Sequence, residues 1–385
     1  MTIKFDIPFN GDFELVDFIK EHSPVVEMVY GRAEDGYPQG RNTTNRPPIT
    51  LEGITKATES LNKKGIKFNY LINGNDHGNK EFNSTYRKKF ITFVKDLKQR
   101  GVEIVTIGNL FLLEVVSQKV SDISLGASII VEPDNLTRIK QIAKAGAKYI
   151  TLSKTLLKNF SGLTEISKNM PSGAIPILLA NDPCLHHCAY TDYHNNILSH
   201  FTSEGTEYVN YCRLHCTQDF AEDPRKVISA SFIRPEDIKG YNEMGFELFK
   251  LCDRKQTTSW LKNVINAYLN GTYEGNLSDL MAPWSNIGGK YPYPHKITQE
   301  EIKEKGFQGI RGLVRFTPNI DNKSMDNYLD YWKEVKTSGC ANEDCDKCNY
   351  CATVAEKAYK PNILRNKRVG KNIERVLEFS REVSR

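Results

Sequence analysis

The sequence predicts an α/β fold: a parallel (β/α)8 TIM-type barrel with a long cysteine-bearing insertion after strand seven and a small C-terminal cysteine-rich extension. Three observations carry this expectation. Eight strand-sized apolar runs alternate with helix-like stretches or long loops over about 270 residues. Helix-like stretches repeatedly end in glycine with an apolar run directly behind: Lys64-Gly65-Ile66, Arg100-Gly101-Val102, Ala145-Gly146-Ala147 and Met244-Gly245-Phe246. No Gly-rich dinucleotide loop follows the first strand, which weighs against the competing doubly wound open sheet.

The predicted strands are residues 3–9, 25–30, 66–72, 102–107, 123–127, 148–152, 175–180 and 246–251. Glycine just past a helix takes the left-handed conformation that caps it, so the next segment turns back as a strand. Several runs are apolar nearly throughout, as strands buried on both faces are. The eighth run leads into a helix-like stretch over 259–269. The insertion from Cys184 to about Glu243 far exceeds a usual connection of about 2–6 residues, and long loops of this kind carry function.

The expected organisation is a barrel over 1–280 that carries a first cysteine group, then an extension over 281–385 that carries a second. Within the extension, 281–294 reads as irregular coil, 325–337 as a helix, and 360–385 as a basic helical tail. The tail is a solvated helix face or an RNA-binding stripe.

At 385 residues with 39% hydrophobic and 26% charged content, the chain has the composition of an ordinary globular protein. It lacks the run of about 18 apolar residues that a membrane-spanning helix needs. The start, Met1-Thr2-Ile3-Lys4-Phe5-Asp6, has no signal-peptide run, so a reducing cytoplasm is expected, where cysteine quartets mean metal rather than disulfides. A net charge of +5 is too mild to imply nucleic acid by itself, but permits an anionic substrate.

Eight of the nine cysteines fall into two groups. Cys184, Cys188, Cys212 and Cys216 form two C-x3-C pairs separated by 23 residues, and Cys340, Cys345, Cys348 and Cys351 read C-x4-C-x2-C-x2-C. Four thiolates brought together suit an iron–sulfur cluster or structural zinc, and soft ligands exclude magnesium, calcium and manganese. The run from Cys345 to Cys351 can wrap three corners of a cubane with Cys340 as the fourth, so a [4Fe–4S] cluster or zinc is expected there. Spacing alone leaves the first group open. His186, His187 and His215 lie beside it, as substitute zinc ligands or as loop surface. Cys252 reads as a buried barrel residue.

Barrels of this kind work where their strands end. Here those ends are polar: Asn10, Arg32, Asn73 to His77, Asn109, Ser153-Lys154, Asn181-Asp182 and Asp253-Arg254. Asn75, Asp76 and His77 could bind a substrate carboxylate or pass a proton, although Asn-Gly is also ordinary turn chemistry. Arg32 and Arg254 end strands that flank the first, so both could face one anion, or they pair with Glu34 and Asp253.

Three stretches resemble the collagenase-like peptidase family U-32: Asn181-Asp182-Pro183-Cys184-Leu185-His186-His187-Cys188, Phe232-Ile233-Arg234-Pro235-Glu236-Asp237-Ile238 and Phe249-Lys250-Leu251-Cys252-Asp253-Arg254. The resemblance extends through Ala267-Tyr268 and Tyr273-Glu274-Gly275-Asn276-Leu277, covers about residues 1–280, and leaves the second cysteine group outside. It implies a barrel whose Cys184, Cys188, Cys212 and Cys216 hold a [4Fe–4S] cluster. It further implies hydroxylation of aromatic rings without dioxygen, on tRNA uridine, ribosomal RNA cytidine or the ubiquinone ring, with prephenate as the implicated oxygen donor. The eighth strand departs from the family's Lys-Ile-Glu-Gly-Arg, retaining only Lys250 and Arg254.

The leading expectation is an iron–sulfur oxidoreductase acting on an aromatic or nucleobase substrate at the barrel mouth. Arg254, His77, Asn75 and Asp76 would be its catalytic candidates, and Arg32 and Asn181 would hold donor or substrate. A peptidase is the second expectation, although no recognisable activated nucleophile or metal-bound water accompanies it. The third is a non-catalytic iron–sulfur partner that works with a heterodimer partner or an electron donor.

Overall fold

Eight parallel strands close into a barrel in the order of the chain, with the last returning to pair with the first, in this computed structural model. The structure describes residues 2–34, 36–40, 48–204, 211–282, 284, 316–331, 340, 344–345 and 347–381. The strands are β1 (Lys4–Pro8), β2 (Val26–Gly31), β3 (Lys67–Ile72), β4 (Ile104–Ile107), β5 (Ser124–Ala127), β6 (Tyr149–Thr151), β7 (Ile175–Leu179) and β8 (Leu248–Lys250). Every predicted run coincides with one of them, β2 running one residue past its predicted end. Six crossover helices separate the first seven: α1 (Phe13–Glu21), α2 (Leu51–Asn62), α3 (Ser84–Gln99), α4 (Leu110–Lys119), α5 (Leu136–Lys144) and α6 (Phe160–Lys168).

Local chemistry places the helix ends. Asn83, Asn109, Asn135 and Asn159 each accept a backbone N–H from the first turn of the helix they precede, which satisfies donors that the helix itself leaves open. At the other end, the four junction glycines all take positive φ: 72° at Gly65, 85° at Gly101, 112° at Gly146 and 100° at Gly245. That conformation strains residues with a Cβ, which is why glycine marks these turns.

Alternation along the strands sends one set of side chains outward to the helices and the other into the barrel. Met28, Ile104, Tyr149 and Leu248, from the four even-numbered strands, plug the lower interior together with Ile177. The next interior level is polar. Thr106 donates to Asn69 across 2.8 Å, and Lys250 bonds to Asp6 with its ammonium over the Tyr30 ring. Burial raises the Asp6 carboxyl pKa while Lys250 pulls it down.

Between β7 and β8 the chain builds a helical layer: α7 (Thr191–Glu204), α8 (Tyr211–Glu222), α9 (Pro224–Ser229) and α10 (Ile238–Glu243). After β8 come α11 (Thr258–Asn270), α12 (Tyr350–Ala358) and α13 (Ile363–Arg381). The helix expected over 259–269 is α11, and the expected basic tail helix is α13. The stretch expected as a helix over 325–337 differs at its start: a short 3-10 turn closes at Met325, turns follow through Leu329, Asp330 and Tyr331 are helical, and 332–339 lie outside the described residues. Of the coil expected over 281–294, only 281, 282 and 284 are described.

The C-terminal elements pack on the insertion. Val369, Ile373 and Leu377, one helical turn apart, bury one face of α13 against α8, while α12 packs on α9. At Gly370 an added Cβ would lie 3.3 Å from a Glu222 carboxyl oxygen, so the helices approach closely there. The apolar residues of this layer are continuous with the barrel core. Among the described residues no helix is long and apolar enough to cross a membrane.

Removing one member of the interior ion pair strands the other. Lys250→Met should lower unfolding free energy by about 3–5 kcal/mol, and adding Asp6→Asn should recover most of that loss. Urea-denaturation midpoints of the three proteins measure both effects.

Candidate functional site

The loop that leaves β7 is set by one side chain. Asn181 is fully buried: its Oδ1 accepts the Cys252 N–H at 2.6 Å, and its Nδ2 donates to the carbonyls of Cys252 (2.7 Å) and Leu280 (2.9 Å). Asn181, expected to hold donor or substrate, joins the ends of β7 and β8 through these bonds. Cys252 is buried as expected, and Tyr30 donates to its sulfur from β2 at 3.5 Å.

The first cysteine group assembles from two sources. Cys184 and Cys188 lie on the loop, where the Cys184 carbonyl accepts from Ser231 and the Cys188 carbonyl from Thr191. Cys212 and Cys216 stand four residues apart on α8 and so share a face. The thiols are electrostatic neighbours. Cys184 donates to Cys188, which holds Cys188 down to about 7, while that bond and burial push Cys184 well up. Burial pushes Cys212 and Cys216 to about 11. Without metal, three of the four are therefore protonated at neutral pH, and a bound metal would displace those protons.

The second group gathers around Cys351, which opens the first turn of α12. Burial pushes its thiol to about 11; Lys158 pulls it down, and Cys340, Cys348 and Cys345 are its other charged neighbours. The Cys340 N–H donates to the Lys158 carbonyl at 2.8 Å, and the Tyr331 hydroxyl lies 3.6 Å from the Cys348 sulfur. Among the described residues no set of three or more His, Cys, Asp or Glu already stands in metal-holding geometry. In donor chemistry both quartets are sets of free thiols of the kind that a thiolate-bound metal takes.

The histidines separate. His186 turns toward the second group, and burial, with Lys158 adding to it, presses its pKa down to about 3. His187 is exposed. His215 stands 3.2 Å from Asp219 and 5.0 Å from the Tyr190 ring.

Helix α7 crosses the barrel mouth. Thr202 exchanges hydrogen bonds with the Gln39 backbone, Ser199 accepts the Asp76 N–H at 2.9 Å, and His200 reaches the Asp76 carboxylate at 2.8 Å. Asn75 donates to Asn196 at 2.5 Å, and Lys80 pairs with Glu204 at 2.8 Å. A Cβ at Gly74 would fall 2.6 Å from Pro38 and 2.7 Å from the Ser199 hydroxyl, so only glycine admits this approach.

Several strand-end candidates therefore hold loops. His77 is fully buried and shares hydrogen bonds with the Tyr86 hydroxyl (2.7 Å) and the Gly74 carbonyl (3.3 Å). Arg32 donates to the carbonyls of Ala33, Tyr37 and Pro38 at 3.1, 3.0 and 3.4 Å. Asn109 caps α4. Arg254 is buried just past the end of β8, and β8 and β2 do flank β1.

A polar group gathers at the ends of β5, β6 and β7; its Ser153, Lys154 and Asp182 were among the polar strand ends read from the sequence, with no role given to them, and its Glu132 was not. Lys154 pairs with the buried Asp182 at 2.6 Å and lowers the thiol pKa of Cys184. Ser153 donates to Glu132 at 2.6 Å, although burial is the larger influence and raises the Glu132 carboxyl pKa. The available signal was position: Lys154 and Asp182 each lie three residues past the end of their strands.

No protein-family model matches the chain. An uncharacterized protease of Methanocaldococcus jannaschii is 26% identical over 368 residues, covering 92% of this chain and 99% of the relative. Among solved structures, a U32 peptidase is 14% identical with a TM-score of 0.49, covering 66% of this chain and 93% of its own. A KDPGal structure is 8% identical with a TM-score of 0.39, covering 70% and 94%. The chain resembles the collagenase-like peptidase family U-32: the motifs around Cys184, Arg234 and Arg254 carry the resemblance, and the near-full-length archaeal relative supports it.

Burial lowers the His77 pKa from the ordinary 6.5. The unfolded chain therefore binds more protons than the folded one below that value, so this histidine makes stability fall as pH drops through about 6.5. His77→Gln should flatten that part of the profile, read as urea midpoints at about pH 7.5 and about pH 5.

Proposed function

We propose that this chain is an iron–sulfur-dependent oxidoreductase, a dioxygen-independent hydroxylase or related modifying enzyme, acting on an aromatic or nucleobase substrate at the barrel mouth. The observation that carries the reading is the neighbourhood of Cys184, Cys188, Cys212 and Cys216 beside the end of β7, on the face where such barrels do chemistry. A cluster bound there would supply electron transfer. The chain's own residues bind and shield. Arg254 sets a guanidinium at the end of β8 for an anionic donor or substrate, and Lys154, paired with Asp182, lies at the end of β6. Glu132, whose carboxyl pKa is raised by burial, accepts from Ser153 at its Oε2 and sets a carboxyl group at the mouth. Helix α7 covers the side of the mouth formed by the loops after β2 and β3 and keeps water from it. The second quartet holds either a further cluster or zinc.

A cysteine peptidase is the second reading. The relative's name favours it, and so does the Cys188 thiol, held near neutrality by the bond from Cys184. The two readings diverge at Cys212, which only the first requires as a ligand.

Protein purified without oxygen should carry iron and sulfide and absorb near 400 nm, and Cys212→Ser should lose the iron of the first group together with activity. A Cys212→Ser protein that still cleaves peptides, with cleavage abolished only by Cys188→Ser, would overturn the iron–sulfur reading in favour of the peptidase. Arg254→Ala should weaken donor or substrate binding roughly tenfold or more while metal content stays unchanged, measured by titration calorimetry.

A further inference from the structure

Lys158 lies in the loop after β6, yet it serves the far end of the chain. Its side chain is 3% exposed. Its ammonium donates to the Ile228 carbonyl at 2.9 Å and lies over the rings of Phe232 (5.2 Å) and Tyr328 (5.4 Å). Its own carbonyl accepts the Cys340 N–H at 2.8 Å. The thiols of Cys351, Cys340 and Cys345 are its neighbours, as is the carboxylate of Asp237, which already pairs with Arg234 at 2.8 Å. One residue thus meets the second cysteine group by backbone and by charge, and His186 of the first cysteine loop turns toward the same place.

We propose that Lys158 is the counter-charge of a tetrathiolate metal centre at Cys340, Cys345, Cys348 and Cys351, and that this centre latches the C-terminal segment onto the barrel. The proposal rests on the metal-binding reading of the second quartet and not on the redox role of the first. Four thiolates around zinc(II) or a [4Fe–4S]2+ core carry about two net negative charges. In a buried site such a dianion needs a nearby cation, and a lysine fixed by a carbonyl and two aromatic faces supplies one without becoming a ligand. Second-sphere groups of this kind typically change metal affinity about 10–100-fold. Lys158 is therefore a positioning residue: it sets how firmly the metal is held and, for a cluster, how easily it is reduced. Since its carbonyl also holds Cys340, loss of the metal should loosen Cys340 and Cys351 from the barrel.

The test uses the full-length protein as purified, in a Cys212→Ser background so that the second group is read alone. Iron and zinc are counted, and their release to a chelator is timed. Lys158→Met should speed release about 10–100-fold, and so should Lys158→Gln, which keeps a donor for Ile228 and removes only the charge. Lys158→Arg should stay near the parent rate. If the metal is iron, the reduction potential should fall in both neutral variants and not in the arginine variant, a shift that a packing role would not produce. Parent-like release and potential in a folded neutral variant would overturn the proposal, as would a second group that Cys348→Ser shows to hold no metal. Failure of the iron–sulfur reading at the barrel shows separately, as the absence of iron that Cys212→Ser removes.

Discussion

The mouth of this molecule is organised by the side-chain amide of Asn181. Three strong hydrogen bonds from one buried group fix the end of β7 to the end of β8 and to the chain that follows α11. A buried amide with all these bonds made is rigid, whereas one left partly unsatisfied costs about 1–3 kcal/mol per missing bond. The first cysteine follows three residues later, so the precision of that knot passes directly into where Cys184 stands. The insertion begins from a fixed point and must fold back on what that point presents.

It folds back in two directions. Helix α7 crosses to the loops after β2 and β3, and α8 turns its apolar side to α13. The insertion is thus held by the barrel on one side and by the C-terminal helix on the other. Lys158 and His186 stand where these parts meet, and the two cysteine groups flank them. A change in one group has a short physical route to the other, through a charged side chain and a ring packed against one backbone segment.

Much of the fold was legible because barrel strands write themselves locally. An apolar run behind a glycine-ended helix is a short-range signal, and at Gly65, Gly101, Gly146 and Gly245 the left-handed turn is where the pattern placed it. The grouping of the cysteines was legible as a matter of spacing, which left the first group open. The roles of the polar strand ends were not, because whether a side chain faces the mouth or its own loop depends on partners far away in the chain. Asn181 bonds to residues 71 and 99 positions distant, and Asn75 to one 121 positions distant. His77 shows the converse: its partners are near in sequence, but the burial of its ring comes from the packing of α3. The stretch from residue 325 looked helical in composition, yet Tyr328 is drawn to the Ile228 carbonyl at 2.7 Å, and turns prevail through Leu329.

The packing of α13 on α8 also sets an order of events in synthesis. The helix that carries Cys212 and Cys216 is complete as a segment long before Val369, Ile373 and Leu377 exist to cover it. While the chain is being made, the face of α8 that α13 will cover is bare, and Cys212 and Cys216 belong to a helix not yet held in place. A nascent chain emerging from the ribosome can close its barrel early, since all eight strands precede residue 251, but it must wait for its last helix to finish the platform. The site at the centre of the molecule is therefore among the last parts to mature.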